Sequence, residues 1–241
     1  MKIPENEQEQ KELLRALFNV RLPWPVSQDF LAVQNAYLQD ELHEKGITHL
    51  SDLKPVQDGL YLWKGDITTL ECDGIVNAAN SQMLGCFYPN HKWIDNAIHT
   101  YAGVQLRLDC AKLMDRQGHE EETGTAKITP AYNLPSRYVL HTVGPIVGRA
   151  VTQKDRDQLA DCYRSCLELA DQHGLKSLAF CCISTGEFRF PHKEAAEIAV
   201  NTVKEYRKQT SSKIEVIFNV FKEEDYDIYR KLLETDRKTE R

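Results

Sequence analysis

The spacing of apolar residues changes near residue 60. Before that point, residues 8–50 carry apolar side chains at helical intervals, with Pro23 and Pro25 interrupting the run. Beyond it, short β-rich runs alternate with longer helical patterns. The change predicts three regions, which are a helical segment over 1–58, an α/β unit over 59–236 and a charged tail over 237–241.

The alternation beyond residue 60 predicts a sheet and its helices. We expect strands at Leu60–Trp63, Gly74–Asn77, Lys127–Pro130, Tyr138–Thr142, Leu178–Ile183 and Ile214–Val220. We expect helices at Ile94–Arg116, Lys154–His173, His192–Gln209 and Glu224–Leu233. Strands separated by helices indicate a largely parallel sheet, so the predicted fold class is a three-layer α/β sandwich. Ligands of such folds bind at the carboxyl ends of the strands.

Composition narrows the function classes. The chain has 241 residues, of which 41% are hydrophobic and 27% charged, as is usual for globular proteins. A net charge of −6 disfavours nucleic-acid binding by phosphate neutralisation. No apolar run approaches the roughly 18 residues that cross a bilayer, and the first residues are too polar for a signal peptide. Seven cysteines without a CxxC pair disfavour a disulfide framework, so we expect a cytoplasmic protein with reduced thiols.

Two polar segments follow the first two predicted strands. In Lys64-Gly65-Asp66-Ile67-Thr68, the glycine permits a sharp turn and the carboxylate can accept a hydrogen bond from an exocyclic amine. The alternative is that Asp66 only caps a turn. The run 74–81 ends in small residues and Asn80, whose amide can pair with ribose hydroxyls, although turn asparagines are common.

Two further loops precede helices. Asp95 and Asn96 open a helix whose free N–H groups suit a diphosphate, although Asp95 is also a good helix cap. The turn at 184–186 can wrap phosphates with backbone N–H groups, and Phe188 offers an apolar wall for ribose. The last predicted strand contains Phe218, which is placed for core packing, and Phe221 follows it.

"GDIT" followed by "IVNAANS" resembles the opening of a macrodomain, the ADP-ribose-binding α/β fold. The loop from Gly85 to His99 is similar to that of the zinc-containing protein-ADP-ribose hydrolase branch, and the segment before residue 60 resembles the helical extension of that branch. The resemblance implies these ADP-ribose contacts: Asp66, Ile67, Asn80, Cys86, Ile94, Asp95, Asn96, Ser184, Thr185, Gly186, Glu187, Phe188 and Phe221.

The resemblance also implies zinc. In that branch a Cys, a His and a second Cys hold the metal, and Cys86 and His91 match the first two. Trp93 stands in the third place, and an indole has no lone pair to donate. Catalytic zinc usually has three protein ligands, so zinc binding with two is an open expectation. Cys72 or Cys110 are alternatives that the sequence alone cannot place.

The activity implied is removal of mono-ADP-ribose from carboxylate side chains of proteins, with Asn80 and Asp95 as catalytic residues. The implied partner is a lipoyl-carrier protein modified by a sirtuin-like transferase, and this rests on analogy. Two alternatives remain, namely a reader that binds ADP-ribose without cleaving it, and a deacetylase of O-acetyl-ADP-ribose.

Overall fold

The computed structural model describes residues 3–239 and confirms a three-layer α/β sandwich. Within these residues the strands are β1 (Thr48–His49), β2 (Pro55–Gln57), β3 (Leu60–Lys64), β4 (Leu70–Glu71), β5 (Gly74–Ala79), β6 (Ala126–Pro130), β7 (Tyr138–Val143), β8 (Ser177–Phe180) and β9 (Glu215–Val220). The helices are α1 (Glu7–Val20), α2 (Gln28–Lys45), α3 (Ile94–Ala102), α4 (Val104–Gln117), α5 (Gln153–Gln172), α6 (His192–Thr210) and α7 (Glu223–Thr239). None of these helices is both long and apolar enough to cross a membrane.

The main sheet runs in the order β2-β3-β9-β8-β5-β7-β6. The five inner strands are parallel to one another, and the two edge strands, β2 and β6, are antiparallel to the strands they pair with. The carboxyl ends of the inner strands therefore meet at one edge of the sheet. β5 and β7 are in a register that pairs Asn77 with His141.

Burial explains why these segments form strands and helices. All four residues of β8 are buried, and so are all but one of β5, as the centre of a parallel sheet requires. α5 begins at a capping box in which Thr152 and Asp155 satisfy each other's backbone N–H groups. Its buried face includes Leu159 and Tyr163, which pack in the core under the sheet.

Three predicted boundaries were wrong or differ. The predicted helix Ile94–Arg116 is two helices, α3 and α4, because Gly103 takes a positive φ of 93° and ends the first. The predicted strand Leu178–Ile183 ends at Phe180, the last residue paired with β9. The predicted helix Glu224–Leu233 continues as α7 to Thr239, and residues 240–241 lie outside the described residues.

The amino-terminal helices pack on α3 and α4. Asn19 is buried and donates to Thr100 Oγ1 at 3.0 Å. The Arg107 guanidinium donates to the backbone oxygens of Phe18 and Asn19, each at 3.0 Å. After α2, β1 pairs with β4 in a two-stranded parallel sheet. Residues 7–49 are thus joined to the α/β unit by buried side chains as well as by backbone pairing.

Candidate active site

The predicted site residues lie where parallel strands end. Asp66 follows β3, Asn80 follows β5, Ser184 follows β8 and Phe221 follows β9. The loops come close together here, since a Cβ added to Gly144 would lie 2.0 Å from Ser184 Oγ. The fold therefore brings the polar segments of the sequence to one edge, as expected for ligand sites of open α/β sheets.

Asp95 is a buried carboxylate in the first turn of α3, with 6% of its surface exposed. Its Oδ1 accepts a hydrogen bond from Asn77 Nδ2 at 2.8 Å. Burial raises the pKa of Asp95 to about 6, against the opposing effects of that hydrogen bond and of the Arg107 guanidinium. A carboxyl group that titrates near neutrality is suited to proton transfer.

Asn80 begins the turn that leads into the loop before α3. Its Oδ1 accepts from Gln82 N at 3.0 Å and its Nδ2 donates to the Gly85 carbonyl at 3.2 Å, so the amide is held in one orientation. Gly85 has a φ of 77°, and a Cβ added there would lie 2.8 Å from the His99 ring. Glycine is thus required where the loop passes His99.

Asn96 has a role that the sequence did not predict. Its side chain is fully buried, accepts from Arg15 at 3.1 Å and donates to the Tyr88 carbonyl at 3.2 Å. Arg15 also donates to the His91 carbonyl at 3.0 Å. Asn96 therefore anchors the loop to α1, while Ile94 beside it is half-buried and packs against the core.

The predicted phosphate loop, 184–188, is a series of tight turns. Ser184 has a φ of 63°, and its carbonyl accepts from Phe190 N at 2.9 Å. Thr185 Oγ1 donates to the Cys182 carbonyl at 3.0 Å, while Gly186 and Glu187 are exposed. The Phe188 carbonyl ties this loop to the one after β7 by accepting from Val147 N at 2.9 Å. The turns leave the exposed backbone of 186–187 beside the strand ends.

The other end of the edge carries Asp66 and Phe221. Asp66 caps the short 3-10 helix Ile67–Thr69 by accepting from Thr68 N at 3.0 Å, so the capping role weighed for it is present. Its other oxygen accepts from Lys45 at 3.2 Å, and 38% of its side chain stays exposed. Phe221 is 79% exposed, whereas the Ile67 side chain is buried and leaves only its backbone for a ligand.

The loop assigned to zinc by resemblance does not complete a zinc site. Cys86 Sγ accepts from Tyr88 N at 3.4 Å, and the His91 ring packs on Trp93 with centroids 3.8 Å apart. Trp93 is the N-cap residue of α3. Within the described part of the chain, neither Cys86 nor His91 belongs to a group of three metal-ligating side chains with ligand atoms within 4.8 Å of one another. Two protein ligands fall short of the usual three.

One such group does occur among the described residues, and it lies behind Asp95. It consists of His99, Cys110 and His141, all buried. The Asn77 amide faces the acceptor-only Asp95 carboxylate, and the same Nδ2 lies 3.2 Å from His141 Nδ1. His141 Nδ1 is therefore an acceptor, and Nε2 carries the proton and donates to Thr129 Oγ1 at 2.9 Å. A cation bound by this group would have to displace that proton.

The parallel sheet, its strand-end loops and the flanking helices define an α/β domain of the kind that binds ligands at the carboxyl edge of its sheet. The chain belongs to the macrodomain family, since the Macro domain model matches residues 76–199. It is 57% identical to a protein-ADP-ribose hydrolase of Treponema medium, with 97% of this chain and 91% of that one covered. It is 54% identical to a protein-ADP-ribose hydrolase of Staphylococcus aureus, with 97% and 88% covered. A Trypanosoma brucei macrodomain solved in complex with ADP-ribose is 31% identical with a TM-score of 0.71, covering 91% of this chain and 94% of that one.

Sequence reasoning missed three residues that contact the site. Lys45 and Arg15 reach it from the amino-terminal helices, 21 and 81 positions away from their partners Asp66 and Asn96. No periodicity encodes such contacts. Asn77 did carry a signal, because a polar amide inside an otherwise apolar buried strand needs partners there.

Proposed function

We propose that this protein is a protein-ADP-ribose hydrolase that removes mono-ADP-ribose from carboxylate side chains. The observation that carries the proposal is the buried Asp95, whose pKa is raised to about 6 and which is hydrogen-bonded to Asn77 of the strand that Asn80 follows. Two relatives above 50% identity bear the name protein-ADP-ribose hydrolase and match almost the whole chain.

The proposed reaction is hydrolysis of the ester at the distal ribose. A water oxygen bonds to the distal ribose carbon, the bond from that carbon to the carboxylate oxygen breaks, and the side chain leaves as a carboxylate. Asp95 takes the proton that the water loses. Asn80 orients the ribose through its amide, which its own turn holds in place. Asp66 and Phe221 hold the adenine, and the exposed backbone of 186–187 binds the diphosphate.

No step of this reaction is assigned to a metal, because Cys86 and His91 lack a third protein ligand. His91 Nδ1 is buried and has no hydrogen-bond partner among the described residues. This nitrogen can therefore bind a group that is not part of those residues. We infer that the loop binds zinc weakly, with non-protein ligands completing the coordination sphere.

The proposed partner is a mono-ADP-ribosylated protein in the cytoplasm. A lipoyl-carrier protein modified by a sirtuin-like transferase is the candidate suggested by resemblance alone. The location agrees with the seven cysteines, all of which are free thiols and six of which are buried.

The test is to mix the purified chain with two modified proteins, one carrying ADP-ribose on glutamate and the other on arginine. We expect release of free ADP-ribose from the glutamate-linked protein alone. O-acetyl-ADP-ribose is tested in parallel, and its faster cleavage would favour the deacetylase. Trp93 makes the reader a specific alternative, because it stands where a metal ligand is expected. Calorimetric binding of ADP-ribose without hydrolysis of any substrate would establish the reader instead.

A further inference from the structure

A chain of buried polar side chains crosses the sheet behind Asp95. It runs from Thr129 on the edge strand β6, through His141 on β7 and Asn77 on β5, to Asp95 on α3. All four are buried, with exposed fractions of 3%, 0%, 0% and 6%. The parallel register of β5 and β7 pairs Asn77 with His141, so the sheet brings the two middle residues of the series together.

Asn77 is the central residue of this hydrogen-bonded series, because its amide contacts both of its neighbours. Its Nδ2 has two hydrogens, and it lies 2.8 Å from Asp95 Oδ1 and 3.2 Å from His141 Nδ1. One hydrogen is therefore given to the carboxylate and the other to the imidazole. Burial lowers the pKa of His141 to about 3, so the ring stays neutral and can accept at Nδ1 over the working pH range.

We propose that Asn77, held in orientation by His141, is a positioning residue that aims the Asp95 carboxylate at the reacting water. With Oδ1 bound to Asn77, Oδ2 is the oxygen assigned to take the proton of the water. The inference rests on the proposed hydrolysis for its kinetic readout. It is argued from the contacts of Asn77 with Asp95 and His141 and assigns no step to a metal.

Four other titratable groups surround Asp95. His99 on the same helix has its Nε2 3.6 Å from Asp95 Oδ1, and burial lowers the pKa of that ring. Arg107 and Cys110 face Asp95 from α4, and Cys181 faces it from the loop after β8. None of these groups donates a hydrogen bond to the carboxylate in the described structure, which distinguishes Asn77 from them.

The test compares Asn77→Ala with Asn133→Ala in the full chain. Asn133 is a matched control, because it is a buried asparagine whose Nδ2 also donates twice, to Asn35 Oδ1 and to the Ala102 carbonyl, both at 2.9 Å. We expect Asn77→Ala to lower kcat about 10- to 100-fold with little change in the affinity for free ADP-ribose. The acid limb of its pH profile should move to higher pH, because the lost hydrogen bond stabilised the charged carboxylate. Asn133→Ala should lower thermal stability alone.

A second pair of variants covers the case in which Asn77→Ala does not fold. His141→Asn keeps an acceptor near the position of Nδ1 and should retain most of kcat, whereas His141→Leu removes it and should not. Wild-type kcat and acid limb in both Asn77→Ala and His141→Leu would overturn the inference. So would stoichiometric zinc in the wild type that is lost in Cys110→Ser, because the group would then be a metal site.

A measurement that needs no turnover distinguishes failure of the proposed function from failure of this inference. The Asp95 carboxyl carbon can be titrated by NMR in wild type and Asn77→Ala. If the wild type hydrolyses nothing but the Asp95 pKa rises in the variant, the function is wrong and the hydrogen bond is real. If hydrolysis occurs and the titration is unchanged, the inference is wrong while the function stands.

Discussion

The two ends of the strand edge differ in how they hold their polar residues. At one end, Phe221 is 79% exposed and Asp66 keeps 38% of its side chain in solvent. At the other, Asp95 is 6% exposed and its loop is fastened to α1 by Arg15. An exposed end can exchange solvent for ligand at little cost, whereas a buried carboxylate gains the perturbed pKa that chemistry uses. We therefore expect the exposed end to bind the ligand and the buried end to carry the reaction.

The sharpest test of this division is Asp95→Asn. We expect hydrolysis to fall about 10²- to 10⁴-fold, the usual contribution of a positioned base. ADP-ribose affinity measured by calorimetry should change little. In the wild type, kcat should fall about tenfold per pH unit as pH drops below about 6, because the raised pKa of Asp95 leaves it protonated there. A flat profile between pH 4 and 7 contradicts the role of Asp95 as base.

The opposite result is expected at the exposed end. Asp66→Ala should weaken ADP-ribose binding about 10- to 100-fold, since a hydrogen bond to a charged group is worth about 1.5–3 kcal/mol. The control is Asp52→Ala, which removes a similar carboxylate that caps the exposed 3-10 helix Leu50–Asp52. It should leave the affinity unchanged. Equal affinities for wild type and Asp66→Ala would place the adenine elsewhere.

Substitution of Arg15 removes the hydrogen bonds that join α1 to the loop before α3. Arg15→Ala leaves the His91 carbonyl and Asn96 Oδ1 without their donor, and should cost about 1–3 kcal/mol of unfolding free energy. Urea unfolding measures it. Arg164→Ala is the control, because Arg164 is exposed on α5 and pairs with Asp161, which lies three positions away on the same helix. If both variants lose the same stability, α1 does not hold the loop.

The smallest effect is expected from Trp93→Cys. A thiolate beside Cys86 and His91 restores the usual count of three protein ligands, so metal analysis should find more bound zinc than in the wild type. Turnover should rise a few-fold if the metal orients the ribose. Trp93→Ser is the matched control without a strong ligand. Stoichiometric zinc with Trp93 in place would show that two protein ligands suffice.

The sequence predicted the inner strands because their apolar runs are buried on both faces, as in β5 and β8. It failed at β1 and β4, which have two residues each and depend on pairing with each other across 22 positions. Asp66 and Asn80 were predicted as site residues because residues that follow parallel strands share one edge of the sheet. The contact of Lys45 with Asp66 and that of Asn96 with α1 form only when α2 and α1 dock. The local sequence pattern does not predict this docking.

The docking of α1 and α2 has a consequence for biosynthesis. Hydrogen bonds that join these helices to α4 span 70 to 89 positions, so the helices leave the ribosome before their docking surface exists. At about 5–20 residues per second the delay is about 4–18 s. During this interval Leu38 and Leu42, buried in the folded protein, face solvent or a chaperone. Ribosome-bound chains ending before residue 90 should be cleaved by protease within residues 7–45 faster than chains that extend past α4. Equal cleavage would mean that the helices fold without their partner.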